Sequence, residues 1–172
     1  MIRYTRFRFC PACGGRNIGR AQEHAMRCAD CGYLYFHNAA AAVTAIIETR
    51  QGIILVKRER APRRGYLDLP GGFVGYGETL EEALQREVRE ELNLGVKDLR
   101  YFGSFPNRYD YGGVTYFTTD GLFTCKAVSL RSMTPSEEVS EIAILRAGEI
   151  DPRRLAFSSA RKAIKAYQSA RK

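Results

Sequence analysis

The sequence predicts an α/β protein: a mixed β-sheet with helices on both faces, an α/β/α sandwich, preceded by a small N-terminal segment held together by a metal. Three observations predict it. Four of the five cysteines fall in the first fifth of the chain, as two Cys-x-x-Cys pairs. A series of apolar or alternating runs with strand composition follows. Two amphipathic helical stretches, one mid-chain and one at the end, supply covering layers for a sheet.

The chain has 172 residues, enough for one ordinary domain and an appendage. With 45% hydrophobic and 27% charged residues, the composition is that of a globular protein. No apolar run approaches the ~20 residues that span a bilayer, and Met1 to Cys10 has no signal-peptide core. A cytoplasmic protein without a membrane partner is the expectation. The net charge of +8 favours anionic ligands, nucleotides and nucleic acid alike. Basic residues cluster at Arg3 to Arg8, Lys57 to Arg64 and Arg161 to Lys172.

Cys10, Cys13, Cys28 and Cys31 form the two knuckles, CPAC and CADC, with a polar loop between them. Four thiolates at this spacing suit tetrahedral Zn²⁺. Gly14 and Gly32 each follow the second cysteine of a knuckle, where glycine lets the chain turn its amides toward sulfur. Two disulfides are the alternative, but no secretion signal supports an oxidising compartment. So short a segment cannot bury a core, so zinc would be structural. The expected division is a ribbon over residues 1–37 and a larger domain over 38–172. His24 and His37 are not needed as ligands.

Strands are expected at Ala39 to Glu48 and Ile53 to Arg58, joined by a turn at Arg50-Gln51-Gly52, with a short extended piece from Tyr66 to Leu69. A helix then starts at an N-cap, Thr79, with Glu82 completing a capping box. Leu80, Leu84, Val88 and Leu92 form its apolar stripe, and Asn93 or Gly95 can end it in the left-handed conformation. Further strands are expected at Leu99 to Ser104, Val114 to Thr119, Leu122 to Val128 and Glu141 to Arg146, with a turn at Gly112-Gly113. Cys125 reads as a buried free thiol in a strand. A last helix from about Ser158 to Ala170 would bury Ala160, Ile164 and Tyr167.

The mid-chain helix carries Glu87, Glu90 and Glu91 at spacings i, i+3 and i+4. Carboxylates so placed share one side of the helix and repel, by a few tenths of a kcal/mol per pair. A divalent cation with oxygen ligands removes the repulsion and gives the cluster a purpose. The plain alternative is a solvated acidic face among Arg86 and Arg89.

The wider pattern decides between them. Gly-x5-Glu-x7-Arg-Glu-hydrophobic-x-Glu-Glu is matched at Gly72, Glu78, Arg86, Glu87, Val88, Glu90 and Glu91. It resembles the Nudix box, the signature of the Nudix hydrolases. One position departs: the family's closing Gly falls at Asn93, the next best residue for positive φ. The resemblance implies a Nudix-type sandwich and metal-dependent hydrolysis, with Mg²⁺ or Mn²⁺, of a diphosphate in a nucleoside diphosphate linked to another moiety. It implies Glu87 and Glu91 as metal ligands with Glu90 beside them, a further ligand in the Gly72 carbonyl, and a bracing role for Arg86 and Glu78. An Arg86–Glu90 ion pair competes for Glu90. Family members often recruit another glutamate from a later loop as ligand or general base. Glu137, Glu138 and Glu141 are the candidates here, with Glu138 favoured and Glu87 the alternative base.

With its four-Cys ribbon directly before the box domain, the whole chain resembles the NADH pyrophosphatase branch. That branch carries a run like SQPWPFPxS after the box, whereas this chain reads GSFPNRYDYGG from Gly103 to Gly113 and has no Trp. NAD(H), ADP-ribose, FAD or a similar small nucleotide is the implied substrate class. Phe105, Tyr109, Tyr111 and Tyr116 are candidates to stack on its ring. Arg58, Arg63, Arg64 and Arg108 are candidates for phosphate contacts. The basic charge keeps two other readings open: hydrolysis of nucleotide-capped RNA 5′ ends, and a non-catalytic sensor of nucleotides or nucleic acid. The resemblance also makes a homodimer an expectation.

Overall fold

A computed structural model describes residues 7–171. Most of the Arg3 to Arg8 cluster, and Lys172 at the end of the last one, lie outside them.

The ribbon forms a small antiparallel sheet of three strands, β1 (Ile18–Gln22), β2 (Ala25–Cys28) and β3 (Leu34–Phe36), in the order β1-β2-β3. The sequence predicts a polar loop here, since strands of three to five residues are too short to show a periodic apolar pattern.

The large sheet has seven strands: β4 (Ala40–Glu48), β5 (Ile53–Arg58), β6 (Leu67–Asp68), β7 (Gly71–Phe73), β8 (Val96–Tyr111), β9 (Val114–Ala127) and β10 (Val139–Leu145). Its order is β10-β5-β4-β9-β8, with β6 beside β5 and β7 beside β4. Of the pairings, β4–β9 alone is parallel. Helix α1 (Leu80–Leu92) follows β7, and α2 (Ser158–Ser169) closes the chain. Thr79 caps α1 in a full capping box, and Asn93 ends it in the left-handed conformation at φ 53°. The sequence could not choose between Asn93 and Gly95; Asn93 is the one used.

Strand alternation divides the core. Val43, Ala45, Ile47, Ile54, Val56, Phe123 and Cys125 face α1 through Ala83, Leu84, Val88 and Leu92. Ile46, Ile53, Leu55 and Leu122 face the other way, onto Ala160, Ala163, Ile164 and Tyr167 of α2. Successive residues of a strand point to opposite faces, so each central strand feeds both layers. The predicted sandwich is present, and Cys125 is free and buried.

Two corrections concern β8 and β9. The sequence predicts short strands with a break near Gly121, but both run unbroken, for 16 and 14 residues. Gly121 stays in the ladder opposite Ser104 and Val43, where a side chain would approach Leu80 and Phe123. Gly121 therefore makes no turn. The turn lies at Gly112-Gly113, both with positive φ.

Candidate active site

The box segment folds as β7, a loop and α1. Gly71 sits at φ 146°, and a Cβ there would lie 2.1 Å from the Val43 carbonyl oxygen. Only glycine lets β7 approach β4 this closely. Its N–H donates to Glu91 Oε2 at 3.0 Å. At Gly72 a Cβ would lie 2.5 Å from the carboxyl of Glu87. The two glycines thus open the space in which the α1 carboxylates lie against β7.

Arg86 ties this geometry together. Its Nε donates to Glu78 Oε1 at 2.6 Å, Nη2 to Glu78 Oε2 at 2.9 Å and to the Phe73 carbonyl at 3.0 Å. Its Nη1 donates to Glu87 at 2.8 Å and to Glu90 at 3.1 Å. Two-pronged pairing of this kind is geometrically specific. The Arg86 guanidinium, helped by the Gly75 N–H, holds the Glu78 carboxyl down to about 2. Arg86 and Glu78 brace the loop against the helix, as expected.

A cavity of about 280 Å³ opens beside them. Glu87, Glu91 and Asp68 reach it from α1 and β6, Glu138 from the loop before β10, and Arg58 from β5. Burial pushes Glu91 up to about 8, reinforced by the nearby charges of Asp68 and Glu87. Burial likewise raises Glu87, with Glu90 and Glu138 adding repulsion. Asp68, 6% exposed, is pushed up to about 7 by burial, although Arg58 pairs with it at 3.5 Å. These are hard oxygen donors crowded at one wall and short of positive charge. The set suits a divalent cation such as Mg²⁺ or Mn²⁺. It is not drawn into a tight cage: among the described residues, the four cysteines are the one group whose donor atoms all lie within 4.8 Å of one another.

Aromatic rings also line the cavity. Tyr109 contacts Phe73 and Phe157, with ring centroids 5.6 and 5.4 Å apart, and the Arg58 guanidinium lies over Phe157 at 4.9 Å. Asn107, Thr118, Asp120 and Ser159 add polar groups. Asp120, 5% exposed, accepts from the Thr118 hydroxyl at 2.5 Å.

The structure gathers Gly72, Glu87, Glu91, Glu138, Arg58 and Tyr109 of the sequence-predicted residues around this cavity. The others lie elsewhere, each for a local reason. Glu90 points back to Arg86 in the i,i+4 pair and is 59% exposed. Arg64 pairs with Glu59, and Arg108 with Asp110, both on the surface. Phe105 packs against the core beneath α2. Tyr116 stands at the rim against Phe73. Sequence reasoning missed Asp68, Asp120, Phe73 and Phe157. An acid between two leucines in YLDLP, and one inside the strand run TTDGLF, are the signals that could have found the aspartates.

In the ribbon, Cys10 and Cys31 Sγ are 3.7 Å apart and Cys13 and Cys28 Sγ 3.8 Å. A tetrahedron of thiolates about 2.3 Å from zinc has edges of roughly 3.8 Å. None of the four is in a disulfide. The N–H groups of Ala12 and Gly15 donate to Cys10 and Cys13 Sγ at 3.4 Å. Gly14 and Gly32 both take positive φ, as the knuckles require. The cysteines fit a structural zinc ion.

Known proteins match along the same division. The NUDIX domain family matches residues 37–167, and the NADH pyrophosphatase zinc ribbon domain matches residues 5–36. A NAD-capped RNA hydrolase NudC of Vibrio cholerae is 39% identical over 113 residues, 66% of this chain and 42% of that protein. A protein of the same name from Haemophilus influenzae is 35% identical over 115 residues, 66% of this chain and 44% of its own. The chain therefore spans less than half the length of these curated relatives. A NUDIX hydrolase from Nitrosomonas europaea superposes with a TM-score of 0.74 at 29% identity, covering 95% of this chain and 91% of that one. The NUDIX domain of Shewanella oneidensis NrtR, solved with ADP ribose, shares the fold with a TM-score of 0.63 at 19% identity over 80% of this chain and 91% of that one. With the box geometry intact and the family match covering most of its length, the chain belongs to the NUDIX domain family, joined to an NADH pyrophosphatase-type zinc ribbon.

Proposed function

We propose that the chain hydrolyses the diphosphate of a nucleoside diphosphate linked to another moiety, with Mg²⁺ or Mn²⁺ held by Glu87 and Glu91. The observation that carries this reading is the cavity itself, lined by buried carboxylates together with aromatic rings. When bound, the cation offsets charge on the diphosphate oxygens and lowers the pKa of its water. Phe73, Tyr109 and Phe157 enclose a flat ring. Arg58, shared between Asp68 and Phe157, gives positive charge to the phosphates. Glu138 lines the cavity from a loop, its carboxylate paired with the exposed Arg60 at 2.7 Å, and is our candidate to accept the proton of the attacking water. Arg86 and Glu78 act through the positions of Glu87 and the loop. In this reading residues 1–37 are a zinc-held unit and residues 38–172 the catalytic one.

A hydrolysis screen over NAD(H), ADP-ribose, FAD, diadenosine polyphosphates and nucleoside triphosphates, with Mg²⁺ and Mn²⁺, tests the reaction. Glu91→Gln should cut turnover about a thousandfold, several kcal/mol of lost charge stabilisation. Turnover intact in that variant sinks the mechanism. Tight nucleotide binding without hydrolysis by the natural chain favours a sensor instead.

The relatives named as NAD-capped RNA hydrolases favour a second substrate, a nucleotide-capped RNA end, which the chain's +8 charge also suits. Turnover on capped RNA should then fall with salt more steeply than turnover on the free dinucleotide, because phosphate contacts release counterions.

A further inference from the structure

The rim of the cavity continues outward as an aromatic strip that the hydrolysis of a small dinucleotide does not use. In β8, Asn107, Tyr109 and Tyr111 share one face by alternation. Their partners across the ladder are Thr118, Tyr116 and Val114. Asn107, Tyr109 and Thr118 line the cavity. Tyr111 lies one step beyond it, stacked on Tyr109 with centroids 6.1 Å apart at 29°. Tyr116 leans on Phe73 at 6.1 Å. Tyr111 is 58% exposed, and Tyr116 and Phe73 are each 41% exposed.

This part of the hairpin is also an arm. The ladder between β4 and β9 begins at Ala40 and Thr118, so residues 108–117 pair only with each other. By the same alternation Arg108 and Asp110 face the opposite side of β8 from the tyrosines. Arg108 pairs with Asp110 at 3.0 Å, and the charge of Arg63 also reaches that carboxylate.

We propose that the outer face of the β8–β9 arm, centred on Tyr111 and Tyr116, is a track for single-stranded nucleic acid whose terminal diphosphate-linked nucleotide occupies the cavity. The proposal rests on the hydrolase reading and states where the rest of a long substrate runs. Stacking on exposed rings beside cations is how single strands are held without sequence preference. Three reasons favour this occupant. The strip opens directly from the cavity, so a chain with its end inside must cross it. The rings carry hydroxyls, and the chain's net charge of +8 suits a polyanion. A few tyrosines fall well short of the ~1,000 Å² a stable protein interface needs, which disfavours a second copy. Cross-strand packing that merely stiffens a two-stranded arm is the competing explanation.

The test compares kcat/KM on a short NAD-capped oligoribonucleotide and on free NAD, for the natural chain, Tyr111→Ala and Tyr111→Phe. Tyr111→Ala should lose about tenfold on the capped RNA, the effect of one stacked base, and stay within about threefold on free NAD. Tyr111→Phe, which keeps the ring, should restore the RNA rate. Equal losses on both substrates, or no loss on either, overturn the track. If the natural chain hydrolyses neither substrate, the hydrolase reading fails by itself, and fluorescence anisotropy of the same oligoribonucleotide decides the track. Binding about tenfold weaker in Tyr111→Ala supports it, and equal binding overturns it. A dimer seen by sedimentation in the natural chain and lost in Tyr111→Ala would assign the face to a second copy and also overturn it.

Discussion

The four thiols of the ribbon stand in pairs 3.7 and 3.8 Å apart, with no disulfide among them and two backbone amides turned toward their sulfurs. The carboxylates of the cavity are each tied elsewhere: Glu87 to Arg86, Glu91 to the Gly71 N–H, Glu138 to Arg60 and Asp68 to Arg58. The first centre is closed, its geometry complete at four ligands. The second is loose, open to a cavity and short of positive charge. A structural metal needs every position filled, whereas a catalytic one must leave room for water and substrate. On the proposed reading the same chain holds one site for stability and another for exchange, and each should fail in its own way.

The largest difference should come from the ribbon. Replacing buried Cys28 in Cys28→Ser should release the zinc and melt the β1–β3 sheet, since structural zinc supplies on the order of 10 kcal/mol of folding free energy to such units. Hydrogen exchange should then show lost protection over residues 18–36, with that of α1 and β4 retained. Zinc content unchanged in the variant would break the comparison on this side.

Next, Gly72→Ala should lower kcat about a hundredfold with the fold intact. The added methyl displaces the Glu87 carboxyl 2.5 Å away, which is the mobile end of its side chain, and a misplaced group of this kind has an effect of that order. Circular dichroism beside steady-state kinetics separates the two.

The third prediction concerns pH. In the folded chain Glu91 and Asp68 hold protons up to about 8 and about 7, against 4.5 and 3.8 when unfolded. Between these limits the folded state binds more protons, so their contribution to stability falls as pH rises and is lowest above about 8. A bound cation relieves the same charge. Mg²⁺ should therefore raise stability more at mildly alkaline than at mildly acidic pH, by on the order of 1–3 kcal/mol. Thermal unfolding at both pH values checks the sign.

The smallest effect should be at Glu90. It is exposed and outside the cavity, so Glu90→Gln should cost no more than about 0.5 kcal/mol of stability, as for other surface i,i+4 pairs. Its turnover should stay within about threefold of the natural chain. A loss as large as that of Glu91→Gln would place Glu90 at the metal and redraw the site.

These contrasts also mark what was legible in the sequence. Helix α1 was readable from its cap through its apolar stripe because those signals, Thr79, Glu82 and the leucines, are local, while its end stayed open between Asn93 and Gly95. The cysteine cluster was readable because ligand spacing is local too. Glu90 shows the limit: helical spacing puts it beside Glu87, and only the position of Arg86 turns it away. Asp68 and Asp120 stand out in the sequence only as acids within apolar strand runs, and it is sheet pairing that makes them site residues. Phe157 comes from the start of α2, more than sixty residues beyond the box. Arg64, Arg108 and Phe105 were chosen for residue type, but strand register and loop course aim them at surface partners or the second core.

The most direct test of the open centre is Mn²⁺ binding followed by electron paramagnetic resonance. The natural chain and Cys28→Ser should both bind Mn²⁺, since the ribbon plays no part in the carboxylate site. In Glu87→Gln with Glu91→Gln the bound signal should disappear while zinc content is unchanged. Mn²⁺ bound equally well in that double variant would contradict the assignment of the cavity as the metal centre.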